Sequence, residues 1–221
     1  MNQNLKDKLD AGLLESGLNL PETVRQKLLD YLALLQKWNK VHNLTAVREP
    51  EEMVTLHLLD SLSVLPHIHA KRLLDVGSGA GLPGIVLALC LPDLQVTVMD
   101  SSHKKASFMR QAKAELGIGN LEVVCGRVEA YQPEQLFDVI ISRAFSELTL
   151  FINLTKHLRA KEGTWLAMKG VHPYDELAQL GFESVSVEPL KVPGLQAQRH
   201  LVFLPFSNVK LADTNENSKA Q

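Results

Sequence analysis

The sequence predicts an α/β fold: a mostly parallel seven-stranded sheet that ends in an antiparallel hairpin, preceded by an N-terminal helical extension. Three observations carry this. From residue 71 onward short apolar runs alternate with helical patterns, as in a parallel sheet covered on both faces. One such run, closing at Asp75-Val76, passes into Gly77-Ser78-Gly79-Ala80-Gly81 and then Pro83, a strand, glycine turn and helix start in succession. The last two runs are joined by residues 189–194, too short a link for a helical crossover, so they must pair antiparallel.

The elements follow in order. Residues 1–70 read as helical. Pro21 and Glu22 suit a first turn, and Val24, Leu28, Tyr31, Leu32, Leu35 and Trp38 recur at helical spacing. Pro50, Glu51 and Glu52 start another helix, with Met53, Leu56, Leu59, Leu62 and Leu65 on one face and Pro66 as its stop. Residues 38–45 between them read as a polar loop. It is either a connection held by Asn and Thr side chains or a lid over a site. Strands are expected at 72–76, 95–99, 121–124, 137–142, 163–169, 182–188 and 199–205. Helices are expected at 83–91, 103–116, 147–159 and 173–180, with Gly117 and Gly119 ending the second. The domain reading is a helical extension over 1–70, a cofactor-binding domain over 71–206, and a polar tail over 207–221 without periodicity, expected to be disordered.

Composition narrows the function classes. Apolar content of 45% and charged content of 22% over 221 residues describe an ordinary soluble chain. The apolar run 82–91 is broken by Pro83 and too short to span a bilayer, and no secretory leader opens the sequence. A cytoplasmic protein with no membrane partner is expected. Cys90 and Cys125 are expected to be reduced thiols, and His67-x-His69 has no acidic or cysteine company, so no metal site is expected. A formal charge of −2 is not that of a general nucleic-acid binder, so an RNA partner would have to be met by a local basic patch.

The glycine turn points to a nucleotide-type cofactor, and two compete for it. Gly79-x-Gly81-x-x-Gly84 fits the dinucleotide fingerprint, but the first glycine of that motif should follow the strand at once. Counted from Gly77, its third position is Leu82. Pro83 also removes a donor where a pyrophosphate needs one. The run acidic-x-Gly-x-Gly-x-Gly instead resembles the first motif of Rossmann-like S-adenosylmethionine (SAM) methyltransferases, whose cofactor carries no phosphate. The free N–H groups of the following helical turn are expected to face the ligand. Asp100, closing the next strand, is placed to hold ribose hydroxyls.

In an open parallel sheet ligands bind at the carboxyl ends of the strands. Those ends carry Asp75 and the glycine loop, Asp100-Ser101, Gly126-Arg127-Val128-Glu129, Ser142-Arg143-Ala144-Phe145 and Lys169-Gly170. The fourth discriminates between chemistries. Methylation of an exocyclic base amine needs an acceptor for the departing proton, whereas Ser-Arg-Ala-Phe offers a cation and no adjacent carboxyl. That suits a nucleophile with a lone pair already available, such as guanine N7. Phe145 is either a base-stacking surface or a core side chain. Arg127, Lys169 and Arg199 are the candidates for an RNA-facing rim, each of which could equally be a solvated charge.

Taken together, four motifs resemble the ribosomal RNA small subunit methyltransferase G family, also called glucose-inhibited division protein B. They are Trp38-Asn39-x-x-x-Asn43-Leu44-Thr45, His57-x-x-Asp60-Ser61, the stretch from Asp75 to Ile85, and Ser142-Arg143-Ala144-Phe145. The resemblance runs to about Leu204. It implies a bacterial enzyme that transfers the SAM methyl group to N7 of one guanine, guanine 527, of 16S rRNA in the small ribosomal subunit or an assembly intermediate. It implies a monomer with no DNA partner. Matching the family's motifs residue by residue makes Gly77, Leu82, Val128, Glu129 and Arg143 the cofactor residues. Gly79 and Gly81 would admit the methionine moiety beside Gly77, while Val128 and Glu129 would meet adenine. Arg143 is the candidate catalytic residue, touching cofactor, guanine or both. The competing readings are a SAM enzyme acting on another RNA, a protein or a small molecule, and a nicotinamide-dependent oxidoreductase.

Overall fold

The computed structural model describes residues 3–143, 145, 147–180 and 185–204. Seven strands, β1 (Arg72–Val76), β2 (Gln95–Asp100), β3 (Leu121–Cys125), β4 (Phe137–Arg143), β5 (Arg159–Lys169), β6 (Ser186–Pro189) and β7 (His200–Leu204), form one sheet in the order β3-β2-β1-β4-β5-β7-β6. β1 to β5 run parallel, whereas β7 is antiparallel to both β5 and β6. The expected closing hairpin is therefore present, latched where Leu190 N–H donates to the Arg199 carbonyl at 2.7 Å. Strand order reverses between β1 and β4, and their carboxyl ends are tied by the Ser142 hydroxyl, which donates to the Val76 carbonyl at 2.7 Å. That switch point is where a doubly wound sheet opens a crevice for ligands.

Helices α1 (Gln3–Glu15), α2 (Glu22–His42), α5 (Gly84–Cys90) and α6 (His103–Leu116) cover one face. Between α2 and β1 lies a composite helical run: α3 (Pro50–Met53), a wider π-type turn over Val54–Leu59, and α4 (Asp60–Leu62). Leu9, Leu28, Leu35, Leu58, Leu73, Val98 and Phe108 belong to one apolar cluster, so the N-terminal helices and the sheet share a core. The opposite face is covered by α7 (Leu148–Thr155) and α8 (Tyr174–Leu180). There Leu74, Val76, Ile140, Phe151 and Trp165 pack together. Leu73 and Leu74 fall on opposite faces because strand side chains alternate. Buried Trp165 is held by its indole N–H, which donates to Thr155 Oγ1 at 2.9 Å.

Three expectations need correction. Residues 38–42 are not loop but the last turn of α2, which ends where Asn43 takes a left-handed conformation with φ 48°. α7 stops at Thr155, and a short 3₁₀ turn leads into β5 at Arg159, four residues before the expected start. The charged run Arg159-Ala160-Lys161-Glu162 hides that beginning. Arg159 is nonetheless buried, donating to the carbonyls of Lys161 and Gly163 and lying 4.6 Å over the Trp165 ring. The expected strand 182–188 is seen only as Ser186–Pro189, since 181–184 lie outside the described residues, as does the tail 207–221. Cys90 and Cys125 are both free thiols. Among the described residues no helix is long and apolar enough to cross a membrane.

Candidate active site

The junction of β1 and α5 is organised by Asp75. Alternation along β1 puts Asp75 on the face of Leu73, beneath the start of α5. Its carboxylate is fully buried, and Oδ2 accepts the Ser78 hydroxyl at 2.5 Å and the Gly84 N–H at 2.8 Å. Burial pushes this carboxyl up to about 6, against the pull of those two donors. The Ile85 N–H donates to the Gly81 carbonyl at 2.7 Å. The helix-start donors expected to face a ligand are thus satisfied internally, which corrects that expectation. A pyrophosphate would meet a carboxyl group there rather than free N–H donors. The loop is also held from the N-terminal side, where the buried Tyr31 hydroxyl donates to the Ala80 carbonyl at 2.7 Å.

A cavity of about 320 Å³ opens over the ends of β1, β2 and β3, lined by Val76, Gly77, Met99, Asp100, Arg127, Val128 and Glu129 among others. At Gly77 and Gly79 a Cβ would meet no atom within 4 Å, so the backbone lies open to an approaching ligand. Asp100 is 6% exposed. Its Oδ2 accepts the Gly79 N–H at 3.0 Å and the Lys105 ammonium at 3.2 Å, and its Oδ1 accepts the Ser102 N–H at 2.9 Å. Asp100 therefore joins β2 to the glycine loop and keeps acceptor capacity on the cavity wall. Glu129 is paired with Arg127 at 2.6 Å, and its own backbone N–H and that arginine hold its carboxyl below the usual range. Two carboxylates, an open glycine backbone and the apolar Val76, Met99 and Val128 suit a nucleoside with free hydroxyls and no phosphate. SAM fits that description.

A second cavity of about 440 Å³ lies over the ends of β4 and β5, walled by Val47, Leu56, His57, Asp60, Arg143, Met168, Lys169, Gly170 and Arg199. Asp60, 2% exposed, joins two of these walls. Its Oδ2 accepts Arg143 Nη1 at 3.1 Å, and its Oδ1 accepts Arg199 Nε at 2.8 Å. Arg143 Nη1 also donates to the Leu56 carbonyl at 3.1 Å, and Lys169 Nζ reaches Glu176 at 2.9 Å and the Phe145 carbonyl at 3.2 Å. Three cations thus face two carboxylates.

The expected site residues divide between these cavities. Gly77, Asp100, Val128 and Glu129 line the first, and Arg127, expected on an RNA-facing rim, lines it too, paired to Glu129. Arg143, Lys169 and Arg199 line the second. Gly79, Gly81 and Leu82 line neither; Gly79 reaches the first through Asp100, and Leu82, 2% exposed, packs in the core. Phe145, half-buried, packs at a tilt against Phe151 with ring centroids 5.3 Å apart, at the edge of the core on that face. The residues to which sequence reasoning gave no role are Asp60, His57, Lys105 and Tyr31. Polar residues interrupting an apolar helix stripe at 55, 57, 60 and 61 were the available signal.

The 43–49 connection is held as the first of its two readings supposed. Asn39 donates to the Val47 carbonyl and accepts the Thr45 N–H, and Thr45 Oγ1 shares a 3.0 Å hydrogen bond with His57 Nε2. Burial and the nearby Arg143 push His57 down to about 4, so it is neutral at pH 7. A folded value below the free value of 6.5 gives stability that is complete above pH 6.5 and lost as pH falls toward 4. Asp75, shifted upward, acts in the opposite sense across much of that window, so only a variant isolates the histidine. The destabilisation caused by His57→Gln should shrink between pH 6.5 and 5 by about 1.5 kcal/mol, since the full slope of roughly 1.4 kcal/mol per pH unit sets in only below pH 6.5. Melting curves of both proteins across this range check it, and a constant gap would show that His57 does not titrate this way.

A family model described as GidB, rRNA small subunit methyltransferase G, matches residues 24–202. A relative named ribosomal RNA small subunit methyltransferase G, from Methylobacillus flagellatus, is 66% identical over 201 residues, spanning 91% of this chain and 98% of the relative. Another of that name, from Laribacter hongkongensis, is 55% identical over 204 residues, spanning 91% of this chain and 98% of its own. Among solved structures, the O-methyltransferase TomG from Streptomyces achromogenes in complex with SAM aligns with a TM-score of 0.57 at 17% identity, over 89% of this chain and 96% of that one. This last likeness is one of fold.

Proposed function

The chain belongs to the rRNA small subunit methyltransferase G family, and from that premise we propose that it methylates N7 of one guanine of 16S rRNA, guanine 527, using SAM. The substrate is the RNA in the small subunit or an assembly intermediate, and the protein acts as a cytoplasmic monomer. The observation that favours N7 over an exocyclic amine is the condition of the acids and bases around the second cavity. Asp60 has both oxygens engaged by arginines, Glu176 is engaged by Lys169, and His57 is a weak base at about 4. Among the described residues around this cavity no group is set to take a proton, and N7 has none to give.

SAM, when bound, supplies a methyl group on a sulfonium, already activated for attack. The protein's part is to align and desolvate. Asp100 would hold the ribose hydroxyls, Val128 and Glu129 would meet the adenine with Met99 beside them, and the open backbone at Gly77 would admit the rest. Arg143 stands at the end of β4, beside the end of β1, and carries donors toward the acceptor side. Alignment of two bound reactants can be worth roughly 7–11 kcal/mol. Incubating the protein with SAM and unmodified small subunits should yield one 7-methylguanosine per 16S rRNA by nucleoside mass spectrometry. Finding none would refute the reading. Arg143→Ala should lower the transfer rate by about 10²-fold, the scale for losing one positioned donor, while the melting temperature falls by only a few degrees. A wild-type rate would remove Arg143 from the site.

A further inference from the structure

We propose that Asp60 is a positioning residue that sets Arg143 and Arg199 as a paired fork reading the O6 edge of the acceptor guanine. The inference rests on the reading above. Asp60 comes from the N-terminal helices, immediately after the π-type turn, a widening that recurs at functional sites. Arg143 comes from the end of β4 and Arg199 from the residue before β7, with β5 between those strands. Each arginine is only about a quarter exposed. Without an anion between them, two half-buried guanidinium groups would repel each other and turn outward. One carboxylate with an oxygen for each fixes both.

The bonds made leave specific donors over. Arg143 gives Nη1 to Asp60 and Leu56, whereas Arg199 gives Nε to Asp60 and Nη1 to the Gln198 carbonyl. Nη2 of both arginines has no protein partner among the described residues. Two donors from separate walls of one cavity suit a carbonyl oxygen, and guanine offers O6 beside N7. Adenine presents an amino group at that position, which arginine donors cannot satisfy. Donation to O6 leaves the N7 lone pair free to attack. Asp60 also cancels one of the two guanidinium charges where the base itself becomes cationic on methylation, so the product is not opposed by the full charge of the fork.

The test uses the full chain, SAM and unmodified small subunits. Asp60→Asn should lower the single-turnover rate at saturating subunits by roughly 10- to 100-fold, with SAM affinity by calorimetry within about twofold of wild type. That split, rate lost and cofactor affinity kept, is what general loosening of the fold would not produce. A wild-type rate, or parallel loss of rate and SAM affinity, would overturn the proposal. Arg199→Lys, which leaves the buried carboxylate in place, decides the matter if Asp60→Asn does not fold. It keeps a charge against Asp60 but removes the planar fork, and should slow transfer by roughly tenfold or more; a wild-type rate would again overturn the proposal. Absence of transfer by the wild-type protein itself would instead refute the N7 reading.

Discussion

Gly81→Ala is expected to destabilise the protein by roughly 2–5 kcal/mol and to weaken SAM binding. Two costs add. Gly81 has φ +87°, where a Cβ costs about 1–2 kcal/mol. That Cβ would also lie 2.3 Å from Ile85 Cδ1, and Ile85 is fully buried, so relief requires repacking the core at about 1–3 kcal/mol. Gly81 is moreover hydrogen-bonded at both ends, its N–H donating to the Ser78 carbonyl and its carbonyl accepting from Ile85. Displacing it shifts the loop that carries Gly77 and Gly79 to the cavity. Denaturant melts and SAM calorimetry check both halves, and a variant with wild-type stability would show that Ile85 moves aside freely.

Asp100→Ala should weaken SAM binding by at least about 100-fold, the effect of losing charge-assisted hydrogen bonds worth roughly 1.5–3 kcal/mol each. The substitution strands the N–H groups of Gly79 and Ser102 and frees Lys105, so some stability goes as well. Asp100→Asn separates the roles: its amide oxygen can still accept one backbone N–H, but the charge is gone. Affinity between wild type and Asp100→Ala, with most stability restored, is the expected result. Unchanged calorimetric affinity in Asp100→Ala would end its assignment to the ribose.

The sheet could be read from the sequence because its signals are local. The apolar runs, the glycine turn and the short link before β7 each lie within a few neighbouring residues. β5 was cut short because Arg159 is buried by its own local carbonyls and a tryptophan face, a solution that composition cannot reveal. The end of α2 was missed because Asn39 and His42 look like loop residues, yet Asn39 is buried and bonds to the segment that follows. The first cavity was largely visible, since its walls are consecutive strand ends. The second was only half visible. Its arginines stood at strand ends, but the carboxylate joining them lies 83 residues before one and 139 before the other. No periodicity encodes a pairing over that distance.

That span has a consequence for biosynthesis. A nascent chain released from the ribosome as far as residue 160 already contains every residue lining the first cavity, but neither Lys169 nor Arg199 of the second. The acceptor side therefore cannot be completed until Arg199 has emerged, and the same late segment brings β5 and β7, whose Trp165, Leu166 and Leu201 complete the cores beneath both cavities.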